Sequence, residues 1–213
     1  MNIQAFTLLL KSSPVIPVLT IERVEDAAPL ALALKEGGLS VVEVTLRTPA
    51  ALDAITAMKR AVPGLIVGAG TILKPSDLDA AMSAGSDFIV TPATTAALVA
   101  PLKACGVPVI PGVATPSEVL ERLDDGFEVL KLFPAEQYGG AATIAALSAP
   151  LPQARFCPTG GIGRDKVAGY LALKNVVGVG GSWIATNKQI AEGDWAGITE
   201  NARAAAAFAT PGV

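Results

Sequence analysis

Eight short strand-like runs, most of them rich in Val, Ile or Leu, recur along the chain at nearly even spacing. They span 14–20, 40–46, 65–71, 87–92, 107–113, 127–134, 154–161 and 175–182. The segments between them are rich in Ala and Leu, and several open with Thr-Pro or Asp and close on Gly, which is how many helices begin and end. Strand and helix therefore alternate about every 20 to 25 residues, which is the spacing of βα units.

This alternation predicts an α/β fold whose parallel strands close into a (β/α)8 TIM barrel. An extra helix is expected over 3–13, before the first strand, and a last helix over 194–209. Because no polar or Pro/Gly-rich linker interrupts the pattern, residues 1–213 are interpreted as a single domain. A doubly wound open sheet is the alternative, and it is disfavoured because the eight units show no distinct switch region.

The composition is apolar and slightly acidic. Hydrophobic residues make up 51% of the chain and charged residues 16%, so we expect part of the surface to meet another subunit. The formal net charge of -3 argues against binding to nucleic acid or to an anionic membrane, and favours a small-molecule partner. The FTLLLK stretch is too short for a signal peptide, and we expect a cytoplasmic protein.

Histidine is absent from the sequence. This excludes Ser-His-Asp and Cys-His nucleophiles and histidine-ligated zinc. The two cysteines, Cys105 and Cys157, have no CxxC spacing, so they are interpreted as small core residues rather than as a disulfide. Any catalysis must use Lys, Arg, Glu, Asp or hydroxyl groups, and neither a metal nor a cofactor is expected.

Two of the predicted strands carry charged residues on the face that should point away from the helices. In SVVEVTLR, the alternation of side chains places Glu43 and Arg47 on this inner face, and in EVLKLF it places Lys131 and Phe133 there. Buried charges are costly unless they are paired, so these groups are expected to form a cluster. The pattern alone is compatible with a structural ion pair or with a reactive site.

The ends of the last two predicted strands are rich in glycine. PTGGI contains Gly160 and Gly161, and VGVGGSW contains Gly180, Gly181 and Ser182. In barrels of this kind, the loops after strands seven and eight commonly bind phosphate through backbone N–H groups. Each Gly-Gly pair alone is compatible with an ordinary turn, but their joint position favours a phosphate site.

A third glycine-containing strand end, GAGT, places Gly70 and Thr71 at the same rim as Arg47. The planar guanidinium suits bidentate binding of a carboxylate. The alternative role for Thr71 is the N-cap of the following helix. Together with an amine in apolar surroundings and the facing carboxylate of Glu43, these residues suggest Schiff-base chemistry, in which an iminium accepts the electrons of a breaking C–C bond.

The motifs carry a specific resemblance over nearly the whole chain. PVIPVLTI, VVEVTLRTPAAL, VGAGTIL, PGVATPSEV, LKLFPAE, PTGGI and VGGSW occur in an order similar to that of the 2-keto-3-deoxy-6-phosphogluconate (KDPG) aldolase and 4-hydroxy-2-oxoglutarate aldolase family. The resemblance implies a class I Schiff-base lyase of the Entner–Doudoroff pathway, a (β/α)8 barrel, a homotrimer and a phosphorylated keto acid as substrate.

The resemblance also implies roles for individual residues. Lys131 would form the Schiff base, and Glu43 would be the general acid and base, acting through a water. Binding residues would hold the carboxylate (Arg47, Gly70, Thr71), wall the pocket (Pro92, Phe133), contact the substrate hydroxyls (Thr159) and bind the phosphate (Gly160, Gly161, Gly180, Gly181, Ser182). One loop departs from the family pattern, because Thr91, Pro92 and Ala93 stand where Ser-Pro-Gly is common.

The implied reaction is the reversible cleavage of KDPG into pyruvate and glyceraldehyde 3-phosphate, with 4-hydroxy-2-oxoglutarate as a second substrate. Thr159 favours KDPG over its galactonate-derived epimer, KDPGal, without excluding it. A phosphate-binding barrel isomerase or epimerase, with Glu43 as its base, is the rival enzyme class. A barrel that only senses a phosphorylated metabolite is the non-catalytic alternative.

Overall fold

The computed structural model describes residues 1–209, in which strands and helices alternate as predicted. The strands are β1 (Val15–Leu19), β2 (Val41–Thr45), β3 (Ile66–Gly70), β4 (Ile89–Val90), β5 (Val109–Ile110), β6 (Gly112–Val113), β7 (Val129–Leu132), β8 (Arg155–Phe156) and β9 (Val179–Gly181). The helices are α1 (Ile3–Ser12), α2 (Ala27–Glu36), α3 (Ala51–Ala61), α4 (Pro75–Ser83), α5 (Ala96–Ala104), α6 (Pro116–Asp124), α7 (Gly140–Leu147), α8 (Arg164–Leu171), α9 (Asn187–Glu192) and α10 (Trp195–Ala206). Each of the eight predicted runs contains at least one strand.

The strands form two parallel sheets, in the orders β5-β4-β3-β2-β1-β9 and β6-β7-β8. β5 and β6 are two halves of one predicted run and are separated by Pro111, which has no N–H to donate to a ladder. Isolated parallel bridges join Phe156 to Val176 and Thr159 to Gly180, between the seventh and eighth runs. The α/β class and the parallel strands are therefore confirmed, and neighbouring strands follow the order of the chain.

The two faces of the strands bury different sets of side chains. On the outer face, Val42, Val44, Leu130 and Leu132 belong to the large cluster that includes the buried helix residues. On the inner face, a smaller cluster contains Phe6, Leu10, Ile16, Val41, Phe88, Val90, Ile110, Val129 and Cys157. The predicted alternation in the second and sixth runs is confirmed, because successive residues fall into different clusters.

Helix α1 covers the amino ends of the strands on the inner face. Phe6 and Leu10 are fully buried there, and the Phe6 ring centroid lies 4.7 Å from that of Phe88. Burial of two large apolar side chains contributes about 1.5–3 kcal/mol each. The extra N-terminal helix is thus part of the core, and the inner face is left open at the carboxyl ends of the strands.

Local signals in the sequence set the ends of several helices. Thr115 accepts a hydrogen bond from the backbone N–H of Glu118, whose carboxylate in turn accepts from the N–H of Thr115. This capping box, with Pro116 as the first helical residue, starts α6 as the Thr-Pro pattern predicts. None of the helices within residues 1–209 has the length and apolar character that a bilayer crossing requires.

Candidate active site

The predicted inner charges on β2 and β7 meet as a buried ion pair. Lys131 Nζ donates a hydrogen bond to Glu43 Oε1 at 3.2 Å, and the two residues are only 4% and 3% exposed. β7 pairs with β6 through Lys131 and Gly112, and β2 pairs with β3 through Glu43 and Gly68. The strand pairing therefore fixes the height of both groups on the inner face, above the apolar cluster that α1 covers.

Gly70 provides the space for the Glu43 carboxylate. A Cβ atom at position 70 would lie 2.0 Å from Glu43 Oε1 and 2.7 Å from its Cδ. No side chain larger than hydrogen fits there unless the carboxylate moves away from Lys131. Gly70 thus lies beside Glu43, in contact with the ion pair, rather than in the wall of the cavity.

The surroundings of the ion pair are apolar. The Lys131 ammonium lies 5.2 Å from the centroid of the Phe133 ring, within range of a cation–π interaction. Burial raises the pKa of the nearby Cys157 thiol to about 12, and the negative charge of Glu43 contributes to this rise. Cys157 therefore stays protonated as a small core residue, while Cys105 is half-buried, and neither forms a disulfide.

Arg47 lies at the exposed rim, away from the ion pair. Its Nε donates to Thr71 Oγ1 at 3.3 Å, and among residues 1–209 no carboxylate lies within ion-pair distance of its guanidinium. The expected cluster of three charges is thus a buried pair with a separate cation at the mouth. Within the described residues, Nε is the one guanidinium nitrogen that donates a hydrogen bond, so the terminal nitrogens of Arg47 are free to bind a ligand in the cavity.

Thr71 adopts a strained backbone conformation. Its φ of 64° makes it the one non-glycine residue with positive φ in the described part of the chain. This left-handed region is costly for a β-branched residue, by about 1–3 kcal/mol, and such strain is concentrated at functional sites. The alternative role as a helix N-cap is wrong, because Lys74 is the N-cap of α4.

A cavity of about 110 Å³ lies at the carboxyl ends of the strands, directly above Lys131. It brings together eight of the predicted residues, namely Arg47, Lys131, Phe133, Thr159, Gly160, Gly161, Gly180 and Ser182. Val18 and Ile162 also line it and were not predicted. Strand parity could have identified Val18, because it shares a face of β1 with the inward-pointing Ile16.

The glycines in this cavity are required by the backbone. Gly160 and Gly161 have φ values of 107° and 75°, which L side chains rarely adopt. A Cβ atom at Gly180 would lie 2.3 Å from Thr159 Oγ1. Glycine therefore lets the loop after β8 pack closely against β9. The N–H of Gly180 donates to the carbonyl of Pro158 at 2.9 Å, whereas the N–H groups of Gly160 and Gly161 have no hydrogen-bond acceptor within the described residues and are accessible to an anion.

Five predicted residues do not line the cavity: Glu43, Gly70 and Thr71, described above, and Pro92 and Gly181, which pack against its supports. A Cβ atom at Gly181 would lie 2.8 Å from Trp183 Nε1, so Gly181 makes room for the indole. The backbone carbonyl carbon of Pro92 would lie 2.3 Å from a Cβ atom at Gly112, the partner of Lys131 in the strand ladder.

The loop after β4, where Ala93 departs from the family pattern, is held by hydroxyl groups. Thr91 Oγ1 accepts a hydrogen bond from the N–H of Gly112 at 2.8 Å and lies 2.8 Å from Thr94 Oγ1. The buried Arg122 donates to the carbonyl of Thr94 at 2.7 Å. The loop is thus tied to the strand ladder although it lacks the usual glycine.

A larger cavity, of about 570 Å³, lies at the opposite end of the molecule. It is lined by the start of α1 and by residues that precede β5 and β7, including Met1, Val107 and Phe127. Parallel α/β enzymes bind their substrates at the carboxyl ends of the strands. The smaller cavity, which contains Lys131, is therefore the candidate active site.

Comparisons with known proteins agree with this assignment. The model of the protein family described as "Aldolase: KDPG and KHG aldolase" matches residues 7–201. The KHG/KDPG aldolase of Escherichia coli (strain K12) is 44% identical over 197 residues, which is 92% of each chain. A KDPG aldolase from Legionella pneumophila, solved with pyruvate captured at low pH as a covalent carbinolamine intermediate, is 42% identical with a TM-score of 0.90, over 93% of this chain and 97% of that chain.

A more distant solved structure, described as native KDPGal, is 28% identical with a TM-score of 0.82, over 92% of this chain and 93% of that chain. The match to the family covers most of the chain, and residues from five of the seven motifs line the cavity around Lys131. The chain therefore belongs to the KDPG and KHG aldolase family.

Proposed function

We propose that this chain is a class I aldolase that reversibly cleaves KDPG into pyruvate and glyceraldehyde 3-phosphate. The observation that carries this proposal is the buried amine of Lys131, hydrogen-bonded to Glu43 at the floor of a cavity with glycine-rich walls. The covalent carbinolamine of the Legionella pneumophila relative supports the same chemistry here.

The geometry suggests how the covalent adduct forms. Because Lys131 Nζ donates to Glu43 Oε1, a proton can pass along this bond and leave a neutral amine. The amine attacks the keto carbon of the substrate to give a carbinolamine, and loss of water gives the iminium. Apolar neighbours on the inner face keep bulk water from this centre.

Cleavage then follows from the iminium. The C3–C4 bond breaks as the proton of the C4 hydroxyl leaves, its electron pair moves into the iminium to give an enamine, and glyceraldehyde 3-phosphate is released. Proton return to C3 and hydrolysis of the iminium give pyruvate and free Lys131. Glu43 is the carboxylate placed to move these protons, through a water, within the described site.

The remaining cavity residues suggest the orientation of the substrate. Arg47 and Thr71 at one rim suit the carboxylate beside the keto carbon, and Gly70 and Pro92 support that side. The loops that contain Gly160, Gly161, Gly180, Gly181 and Ser182 suit the phosphate at the other end. Phe133 and Thr159 also line the cavity, which supports a role for Phe133 as a wall and for Thr159 as the contact of the intervening hydroxyls.

KDPG is the favoured substrate over the epimer KDPGal. The Escherichia coli and Legionella pneumophila relatives, both named for KDPG, are 44% and 42% identical to this chain, whereas the KDPGal structure is 28% identical. The name of the Escherichia coli relative also includes KHG, so 4-hydroxy-2-oxoglutarate is proposed as a second substrate, cleaved to pyruvate and glyoxylate. Initial rates with all three keto acids test this order of preference.

The wider features of the family are part of the same proposal. We propose a single domain with a closed (β/α)8 barrel, supported by the bridges between the two sheets and by the division of one run into β5 and β6. We also propose a cytoplasmic homotrimer in the Entner–Doudoroff pathway. Exposed apolar side chains such as Leu8, Leu32 and Leu73 support an association of subunits, which light scattering tests.

Trapping with borohydride tests the central step. Incubation with pyruvate followed by reduction should place one adduct on Lys131, identified by mass spectrometry. Lys59→Arg is the matched control, because Lys59 also lies 2.5 Å from a carboxylate, that of Asp87, and this variant should keep the adduct. The isomerase or epimerase alternative forms no adduct, and a metabolite sensor shows no turnover of KDPG.

A further inference from the structure

Glu136 lies just outside the cavity and joins the segment after β7 to helix α8. Its Oε1 accepts a hydrogen bond from the Tyr170 hydroxyl at 2.5 Å, and its Oε2 accepts from the Lys166 ammonium. Tyr170 is 1% exposed, so water does not compete for this hydroxyl. A carboxylate with two donors on α8 is placed to fix the distance between this helix and the segment after β7.

The protonation states that this link requires are both present near neutral pH. Lys166, and then Tyr170, hold the pKa of the Glu136 carboxyl below its usual range. Burial, and then the bond to Glu136, raise the pKa of the Tyr170 phenol well above its usual value. The carboxylate is therefore ionised and the phenol protonated at the same pH, which is the pairing that gives a charge-assisted hydrogen bond.

The same segment holds, through its backbone, the loop of residues 157–163 between β8 and α8, which contains Gly160 and Gly161 and is called the glycine loop here. The N–H of Ala135 donates to the carbonyl of Thr159 at 2.8 Å, and the N–H of Glu136 donates to the carbonyl of Gly160 at 3.1 Å. The loop leads directly into α8, which begins at Arg164. Residues 134–136, the glycine loop and α8 thus form a closed ring, and the Glu136 carboxylate closes it.

Glycines on both sides give Glu136 its place. A Cβ atom at Gly161 would lie 2.9 Å from Glu136 Cβ, so the side chain packs directly on the loop. A Cβ atom at Gly140 would lie 2.9 Å from the Tyr170 hydroxyl and 3.1 Å from Glu136 Oε1. The absence of side chains at Gly140 and Gly161 therefore leaves room for the hydrogen bond between Glu136 and Tyr170.

We propose that Glu136 is a positioning residue that determines the preference for phosphorylated keto acids. By closing the ring with Tyr170 and Lys166, it holds the N–H groups of Gly160 and Gly161 at the phosphate end of the cavity. The inference rests on the proposed function, and it adds that the specificity depends on a side chain that does not touch the substrate. A preorganised loop binds its anion without an ordering cost, whereas a loosened loop does not.

Tyr170→Phe is the sharpest test, because it removes the hydroxyl and keeps the ring in the core. For KDPG, we expect KM to rise about 10-fold with little change in kcat, since one hydrogen bond to a charged group is lost. For 4-hydroxy-2-oxoglutarate, which carries no phosphate, kcat/KM should stay within about twofold. Lys166→Met removes only the half-exposed donor and should raise the KM for KDPG by about threefold.

Tyr138→Phe is the matched control, because Tyr138 is the other tyrosine of the chain and its side chain is 50% exposed. This variant should match the wild type with both substrates. Equal losses with KDPG and 4-hydroxy-2-oxoglutarate in Tyr170→Phe and Lys166→Met would reduce Glu136 to a purely structural role and overturn the inference, as would unchanged kinetics. A wild-type protein that forms no pyruvate adduct on Lys131 would remove the proposed function, and this inference with it.

Discussion

Among the close lysine–carboxylate pairs of the described residues, one lies near the amino ends of the strands and another near their carboxyl ends, and the two are built differently. Near the amino ends, Lys59 Nζ contacts Asp87 Oδ1 at 2.5 Å and also donates to the carbonyl of Gly85, while Asp87 Oδ2 accepts from the N–H of Val67. Near the carboxyl ends, Lys131 Nζ has Glu43 as its one hydrogen-bond partner in the described chain.

The number of partners separates a structural pair from a reactive one. Lys59 and Asp87 are partly exposed and bound to backbone groups as well as to each other, so the pair joins α3 to the loop before β4. Lys131 is buried beside one carboxylate, with a cavity above it, which supports the proposal that its amine attacks a carbonyl. An ion pair is therefore weak evidence for function unless one partner faces a cavity and makes no other hydrogen bond.

Lys131→Met should give the largest effect. Loss of the amine removes the covalent route, so we expect the kcat for KDPG cleavage to fall by at least about 1,000-fold. Steady-state assays measure this loss, and circular dichroism checks that the fold persists. Turnover near that of the wild type would contradict the assignment of Lys131 and Glu43 as the reactive pair.

Glu43→Gln should slow proton transfer without preventing the covalent adduct. The amide keeps the shape of the carboxylate but cannot accept the proton, so we expect kcat to fall by about 100- to 1,000-fold. Borohydride trapping with pyruvate should still label Lys131, more slowly than in the wild type. Undiminished turnover would remove Glu43 from its proposed role.

Gly70→Ala should displace the Glu43 carboxylate by steric overlap, without changing any charge. The added Cβ would lie 2.0 Å from Glu43 Oε1, so the carboxylate must move, and we expect kcat to fall by about 10-fold or more. Gly169→Ala, which meets no atom within 4 Å, is the control and should leave kcat unchanged. Equal activity of the two variants would show that the position of Glu43 is not critical.

Lys59→Met should give the smallest effect on activity. The change removes a partly exposed pair at the amino ends, so we expect the free energy of unfolding to fall by about 1 kcal/mol and kcat to stay within about twofold. Thermal unfolding and KDPG assays measure the two quantities. A large loss of kcat with an intact fold would contradict the division between the two ends.

Periodicity predicts the parts of the fold and site that depend on local order. The runs that form the strands, the direction of Lys131 and Glu43, and the helix start at Thr115 each follow from spacing or from a short motif. A shift of one position along a strand moves a side chain to the other face of the sheet. An error of one residue in the predicted strands would therefore have placed Lys131 and Glu43 on the outer face.

The remaining features depend on contacts between distant segments. The rim position of Arg47, the strain at Thr71 and the support of the glycine loop by Glu136 each arise from packing that no local pattern encodes. The expected charge cluster included Arg47 because parity gives the face of a residue but not its height along the strand. Arg47 is separated from the ion pair because β2 ends at Thr45, so Arg47 lies beyond the end of the strand.

The Phe6 and Phe88 rings are buried at the amino ends of the strands, whereas the cavity above Lys131 lies at the carboxyl ends. If the proposed function holds, substrate and products therefore share one entrance at the carboxyl ends. We then expect the aldehyde to leave first, while the three-carbon fragment stays covalently bound to Lys131 below it. Isotope exchange between free pyruvate and the enamine tests this order of release.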